Sequence, residues 1–155
     1  MKPSDLIAQA NRLASASRGR PRQVDLKRAL SGAYYAMFHA LASECADAVV
    51  GAGRDRSEDA WTRVYRALDH GAVKNACNQV KSKGMPSTVA NFAKLFAALQ
   101  GERHAADYDP RSFFERSEVA GFIADADAAI VEFQALPRAD RRAFVALVLF
   151  REPRR

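Results

Sequence analysis

Apolar residues recur at steps of three and four along five stretches of this chain, and short polar or glycine- and proline-containing segments separate them. Leu6, Ala10, Leu13 and Ala14 form a modest stripe over residues 4–17, with Ser4 or Asp5 placed to cap it. Residues 23–49 carry Leu26, Leu30, Ala33, Tyr34, Met37, Leu41, Cys45 and Ala48 on one face, and Tyr35, Phe38, His39 and Ala42 on a second. A helix apolar over so much of its circumference belongs at the centre of a bundle, or at the centre of a monomer and in a dimer seam as well.

Trp61, Val64, Tyr65, Leu68, Ala72, Val73, Ala76 and Val80 continue the pattern from a cap at Ser57 to about Lys81. Gly71 interrupts this third stretch and predicts a kink or split at Asp69-His70-Gly71. A fourth helix is predicted over 88–107. Ser112-Phe113-Phe114-Glu115 fits a capping box ahead of a fifth, whose stripe is Val119, Phe122, Ile123, Ala126, Ile130 and Phe133. Pro137 opens a last segment, over about 137–151, in which residues 143–150 are apolar on every side. Helix is favoured there, with a strand as the alternative. Such a segment must bury both faces, by plugging the bundle or by joining two subunits. The fold class is all-α, and 155 residues suit one domain spanning 1–155.

Composition changes this picture little. Nearly half the residues are apolar, as a packed helical protein requires. The formal charge of +6 suits contact with phosphates, for which arginine is the better geometric match. A compositional bias toward Ala and Arg is the plainer account. Arg18, Arg20 and Arg22 fall in one turn, as phosphate contacts or simply as a solvated loop. Cys45 and Cys77 are isolated thiols, and Cys45 reads as buried structure. The spacing of Cys and of His39, His70 and His104 matches no metal site; neither a metal nor a cofactor is expected. The N-terminus lacks a signal-peptide core, and no run approaches the ~20 apolar residues of a membrane span. A cytoplasmic protein without membrane association is expected.

The candidate chemistry gathers at the end of the fourth helix, in Glu102-Arg103-His104-Ala105-Ala106-Asp107-Tyr108-Asp109-Pro110. Phe92, Phe96 and Leu99 lead along one stripe to Arg103, so a permanent cation sits in line with the core. It needs an anionic partner, because leaving it desolvated and unpaired costs several kcal/mol. Asp107, four residues on, is the nearest. Tyr34, Tyr35 and His39 either line a cleft in which bases stack or belong to the core. The carboxylates of the fifth helix, Glu118, Asp125, Asp127 and Glu132, read as a solvated face.

Two motifs carry a resemblance. Arg28-Ala29-Leu30-Ser31-Gly32-Ala33-Tyr34-Tyr35-Ala36-Met37-Phe38-His39-Ala40 resembles the S-x-A-Y-Y-A-x-F-H helix of one bacterial branch of the HEPN family. Arg103-His104-Ala105-Ala106-Asp107-Tyr108 is similar to that branch's R-x-x-A-D-Y helix end. The segment from Trp61 to Lys81 and the apolar tail lie outside the resemblance. It implies an up-down bundle of four to five helices over about 4–135, to which the C-terminal apolar helix is an addition. It also implies a homodimer in which two Arg-bearing helices form one composite cleft.

Many family members are metal-independent ribonucleases of toxin or phage-defence type. The resemblance therefore implies a HEPN-like bundle that binds RNA or a nucleotide, with Arg103, His104 and Tyr108 as catalytic candidates and Tyr35, His39, Arg103 and Asp107 as binding residues. A cognate nucleotidyltransferase antitoxin is an implied partner, with Tyr108 as the residue it would modify. Active members place a His beyond the Arg with four to six residues between them. Here those positions hold Tyr108, Asp109 and Pro110. RNA cleavage through the ribose 2′-hydroxyl needs a base near neutrality and a cation for the phosphorane; Arg103 can be only the second. The competing class is a non-catalytic dimeric module, antitoxin-like or adaptor, in which Arg103, Asp107 and Tyr108 are structural.

Overall fold

The computed structural model describes residues 1–152, and among them all regular structure is helical. The helices are α1 (Pro3–Ala14), α2 (Gln23–Val50), α3 (Glu58–Ala67), α4 (His70–Gln79), α5 (Ser87–Tyr108), α6 (Arg116–Gln134) and α7 (Arg138–Leu149). The protein is an all-α bundle. None of these helices is long and apolar enough to cross a membrane.

Helix α2 is the axis. It packs against α1, α3, α5, α6 and α7, as its two apolar faces require. Leu26, Leu30, Tyr34, Met37 and Leu41 are fully buried, and each contributes roughly 1.5–3 kcal/mol of apolar transfer. Ala29, Ala33, Ala36 and Ala40 are buried among them and let neighbouring helices approach closely. On the far side Phe92 of α5 stacks on Phe133 of α6, ring centres 4.6 Å apart, and Phe144 of α7 meets Phe133 edge-on at 5.9 Å. The apolar C-terminal segment is therefore helical and part of the core through Phe144, Val145 and Val148.

The other face of that segment is not buried within the chain. It exposes Ala143 and Ala146, and Phe150 beyond the helix end is 65% exposed. Small side chains make one-sided burial sufficient. Arg141 fixes α7 from its first turns: its guanidinium donates to both carboxylate oxygens of Glu44 on α2, at 3.1 and 3.0 Å, and to the Leu136 carbonyl.

Two local expectations are corrected. Neither Ser4 nor Asp5 caps α1; the helix begins at Pro3, which puts both inside its first turn, and the cap position falls to Lys2, whose side chain has no acceptor. The capping box at 112–115 does not form. The Ser112 hydroxyl donates instead to the Asp109 carbonyl, and α6 starts only at Arg116. A local turn and a tertiary contact hold this segment. Gln23 of α2 donates through Nε2 to the Phe114 carbonyl and accepts from the Phe114 N–H, at 2.8 and 3.0 Å. The Ser112 N–H, which the box would give to the Glu115 side chain, donates to the Asp109 carbonyl at 3.1 Å.

The third stretch is two helices, split at Leu68-Asp69, and the split is made by a cap. The Asp69 carboxylate accepts from the Ala72 N–H at 2.9 Å and starts α4. A Cβ on Gly71 would approach that carboxylate to 3.1 Å, so the glycine keeps the cap uncrowded. Ser57 caps α3 as its sequence position predicts, accepting from the Ala60 N–H.

Arg116 orders the basic turn between α1 and α2. Its guanidinium donates to the carbonyls of Ala14, Ser17 and Gly19 at 3.2, 2.6 and 3.0 Å. A side chain from α6 thus satisfies the free carbonyls at the end of α1.

Candidate functional site

Arg103 occupies the position its stripe predicts, one turn past the buried Leu99 on α5. Its side chain is 19% exposed, and its Nε lies 3.1 Å from Oδ2 of Asp107. The Nε–H is not directed at that oxygen, so the contact is a Coulombic pair rather than a formed hydrogen bond. The contact is made through Nε. Asp107 is held from the other side by the Ser31 hydroxyl of α2, which donates to Oδ1 at 3.2 Å. Ser31 and Asp107 thereby join the two motifs that the sequence places 76 residues apart.

The guanidinium lies over two tyrosines of α2, 5.2 Å from the ring centre of Tyr35 and 5.5 Å from that of Tyr34. The rings meet edge-to-face, 5.4 Å apart. Tyr34 is fully buried and Tyr35 half-buried, so the adjacent tyrosines divide between core and cleft. Cation–π attraction here adds to the carboxylate in stabilising a charge drawn partly out of water.

The sequence pattern does not reveal the partner of the Tyr34 hydroxyl. Its hydroxyl is hydrogen-bonded to Nδ1 of His70, at the start of α4. The His70 ring stacks on Phe38 at 4.1 Å, and its carbonyl accepts from Gln100 Nε2 of α5. Burial lowers the His70 pKa below the ordinary imidazole value; the charge of Arg103 acts in the same sense and Asp69 opposes it. The ring is accordingly neutral at pH 7. Burial pushes the Tyr34 phenol well above its usual range, against the opposite pull of Arg103, so it keeps its proton.

A second imidazole–phenol pair follows along α2. Nδ1 of His39 bonds the Tyr65 hydroxyl of α3, and burial lowers the His39 pKa and raises that of Tyr65. Tyr65 stacks on Trp61 at 5.1 Å, and Arg56 covers Trp61 at 4.5 Å while pairing with Asp47 and Glu58. His39 therefore belongs to a band that docks α3, and its ring lies 6.3 Å from that of Tyr35.

His104 and Tyr108 lie on the exposed side of α5, their rings 4.9 Å apart, with Tyr108 67% exposed. His104 points away from the Arg103 stripe, as one helical residue step requires. Tyr108 forms one edge of a groove of about 610 Å³ between the first turns of α2 and the end of α5, shared with Lys27, Arg28, Ser31, Tyr35 and Asp107. The structure thus gathers Tyr35, Arg103 and Asp107, puts Tyr108 at the rim with His104 beside it, and sets His39 further along α2. Sequence reasoning missed His70, Ser31 and Gln100. His70 had one local signal, its place directly after the capping Asp69.

Compared with protein-family models, with curated proteins and with solved structures, the chain finds no match.

Proposed function

We propose that this chain is a HEPN-like RNA-binding bundle that cleaves RNA without a metal, as a homodimer whose cleft is built around Arg103. The observation that carries the reading is the triad Arg103–Tyr34–His70: a fixed cation and a neutral imidazole both contact one buried phenol. In this proposal His70 takes the place of the histidine missing from the helix end.

In the tautomer that carries its proton on Nδ1, directed at the Tyr34 oxygen, His70 offers Nε2 as a base. Nε2 takes the proton of a ribose 2′-hydroxyl, and the freed oxygen attacks the adjacent phosphorus. The bond from phosphorus to the 5′-oxygen breaks, and the imidazolium returns its proton to that oxygen. The products are a 2′,3′-cyclic phosphate and a 5′-hydroxyl. The terminal nitrogens of Arg103 bind the charge that grows on the phosphorane. The test is incubation of the purified protein with total RNA beside Arg103→Ala and His70→Asn. Cleavage lost in both variants supports the mechanism; cleavage kept in both refutes it.

A second reading has its own support. Asp107 and Ser31 already neutralise and tie down Arg103, which suits a non-catalytic dimeric module of antitoxin-like or adaptor type. Under that reading no RNA is cut, and Arg103→Ala fails to dimerise on size exclusion. A toxin role adds a cognate nucleotidyltransferase as partner, with the exposed Tyr108 as its target.

A further inference from the structure

The groove beside Arg103 does not stand alone. One residue before its first lining residue, Gln23, the chain is Arg22, and the turn behind it carries Arg20 and Arg18. All three side chains are exposed, and among the described residues none of them forms an ion pair, nor do Lys27, Arg28 or Arg111. Segments 15–31 and 103–116, which meet at this end of the bundle, hold eight Lys and Arg against four carboxylates. One of those carboxylates, Asp107, is taken by Arg103. Two-thirds of the net charge of the whole chain therefore lies here.

The turn that carries the arginines has a defined shape. Arg116 spends its own guanidinium on the carbonyls of Ala14, Ser17 and Gly19, and the side chains of Arg18, Arg20 and Arg22 are left outward. The groove that continues the strip is edged by Tyr35 and Tyr108. Unpaired cations in a row beside aromatic faces suit a polyanion whose bases are free to stack. A duplex hides those faces.

We infer that this surface is a track for single-stranded RNA, on which the turn at 18–22 and Lys27 and Arg28 hold successive phosphates and Tyr108 stacks a base at the groove mouth. The inference rests on the cleft reading above and extends it to substrate class: an unpaired strand is led from the turn along the groove toward Arg103.

The test is binding of a short 2′-O-methyl oligouridine, which the proposed mechanism cannot cleave, followed by fluorescence anisotropy over a series of KCl concentrations. Each phosphate neutralised on a single strand contributes about −0.7 to the slope of log affinity against log salt. The triple variant Arg18→Gln, Arg20→Gln, Arg22→Gln is expected to flatten the slope by about 2 and to weaken binding at least tenfold near 50 mM KCl. Tyr108→Ala is expected to weaken binding roughly tenfold with the slope unchanged. The same oligonucleotide annealed to its complement is expected to bind more weakly. A triple variant with the wild-type slope, while Arg103→Ala flattens it, overturns the track and leaves the cleft standing. Equal affinity for the duplex overturns the single-strand assignment. A wild type that binds no oligonucleotide at about 50 mM KCl removes the cleft reading as well. Arg18, Arg20, Arg22 and Tyr108 are exposed and Arg103 is partly buried, so unchanged thermal melts are required to certify each variant as folded.

Discussion

The hydroxyl of Tyr34 and Nδ1 of His70 are joined by a hydrogen bond that spans 36 residues of chain. It ties the central helix to the N-terminus of α4, and it is formed with one partner fully buried. Tyr34→Phe removes the hydroxyl and leaves the imidazole nitrogen without its partner. The expected loss of stability is about 0.5–1.5 kcal/mol, read as a lower urea midpoint with an unchanged m-value. If cleavage follows the mechanism above, the same variant lowers the rate by more than it lowers affinity for RNA, because it frees the ring of its orienting contact.

Acid should loosen α3 and α4 before it affects the rest. His70 and His39 both have pKa values lowered in the fold by burial. The unfolded chain therefore binds their protons more readily. The stability tied to their neutral forms is complete above the unfolded value of about 6.5 and is lost as pH falls through the lower folded values. Urea melts over this range should show falling midpoints for the wild type and a flatter profile for His39→Gln/His70→Gln. Parallel profiles would mean that neither imidazole is held neutral.

Arg116 should matter for stability although most of its contacts are to backbone in a turn. Arg116→Met keeps the aliphatic stem and removes all three donors to the Ala14, Ser17 and Gly19 carbonyls. A loss of roughly 1–3 kcal/mol is expected. Amide exchange should quicken across residues 15–20 and stay unchanged in α5, which separates a local effect from general unfolding.

The two thiols should be inert in the native protein. Burial pushes both Cys45 and Cys77 up to about 12, so almost none of either is thiolate near neutral pH. Treatment with iodoacetamide followed by mass spectrometry should find neither alkylated until denaturant is added. Rapid labelling of Cys77 alone would show that α4 opens locally.

Helix α7 is as much core as α6, by its aromatic contacts. Phe144→Ala should cost about 3–5 kcal/mol. Because Phe144 meets Phe133 edge-on, a double-mutant cycle between them should show coupling of about 0.5–1.5 kcal/mol. Zero coupling would mean that α7 docks through Arg141 and Glu44 rather than through its rings.

The sequence was most legible where information is carried by spacing within one helix. The step from Phe92 and Phe96 through Leu99 to Arg103 orients the side chain before any tertiary contact is known, and Asp107 follows by the same rule. The two faces of α2 were legible for that reason, as was the division between Tyr34 and Tyr35. The capping box at 112–115 misled because its residues fit the pattern, while the Ser112 hydroxyl and N–H both turn back to the Asp109 carbonyl and a glutamine 91 residues away holds the Phe114 peptide. His70 was missed because nothing in its neighbourhood refers to Tyr34 or Arg103. The extent of burial in the last segment was overstated because its alanines count as apolar in a pattern yet demand little cover.

Gln23 grips the peptide of Phe114 with a donor and an acceptor at once, as a neighbouring strand would, and it also lines the groove. A primary amide alone among side chains of that length offers both polarities in this order. Replacing one nitrogen by oxygen, as Gln23→Glu does, sets a carboxylate against a carbonyl and pries the segment leading into α6 from the base of α2. The groove wall and that connecting segment are thereby one mechanical part: whatever displaces Phe114 also reshapes the cavity that Tyr108 borders.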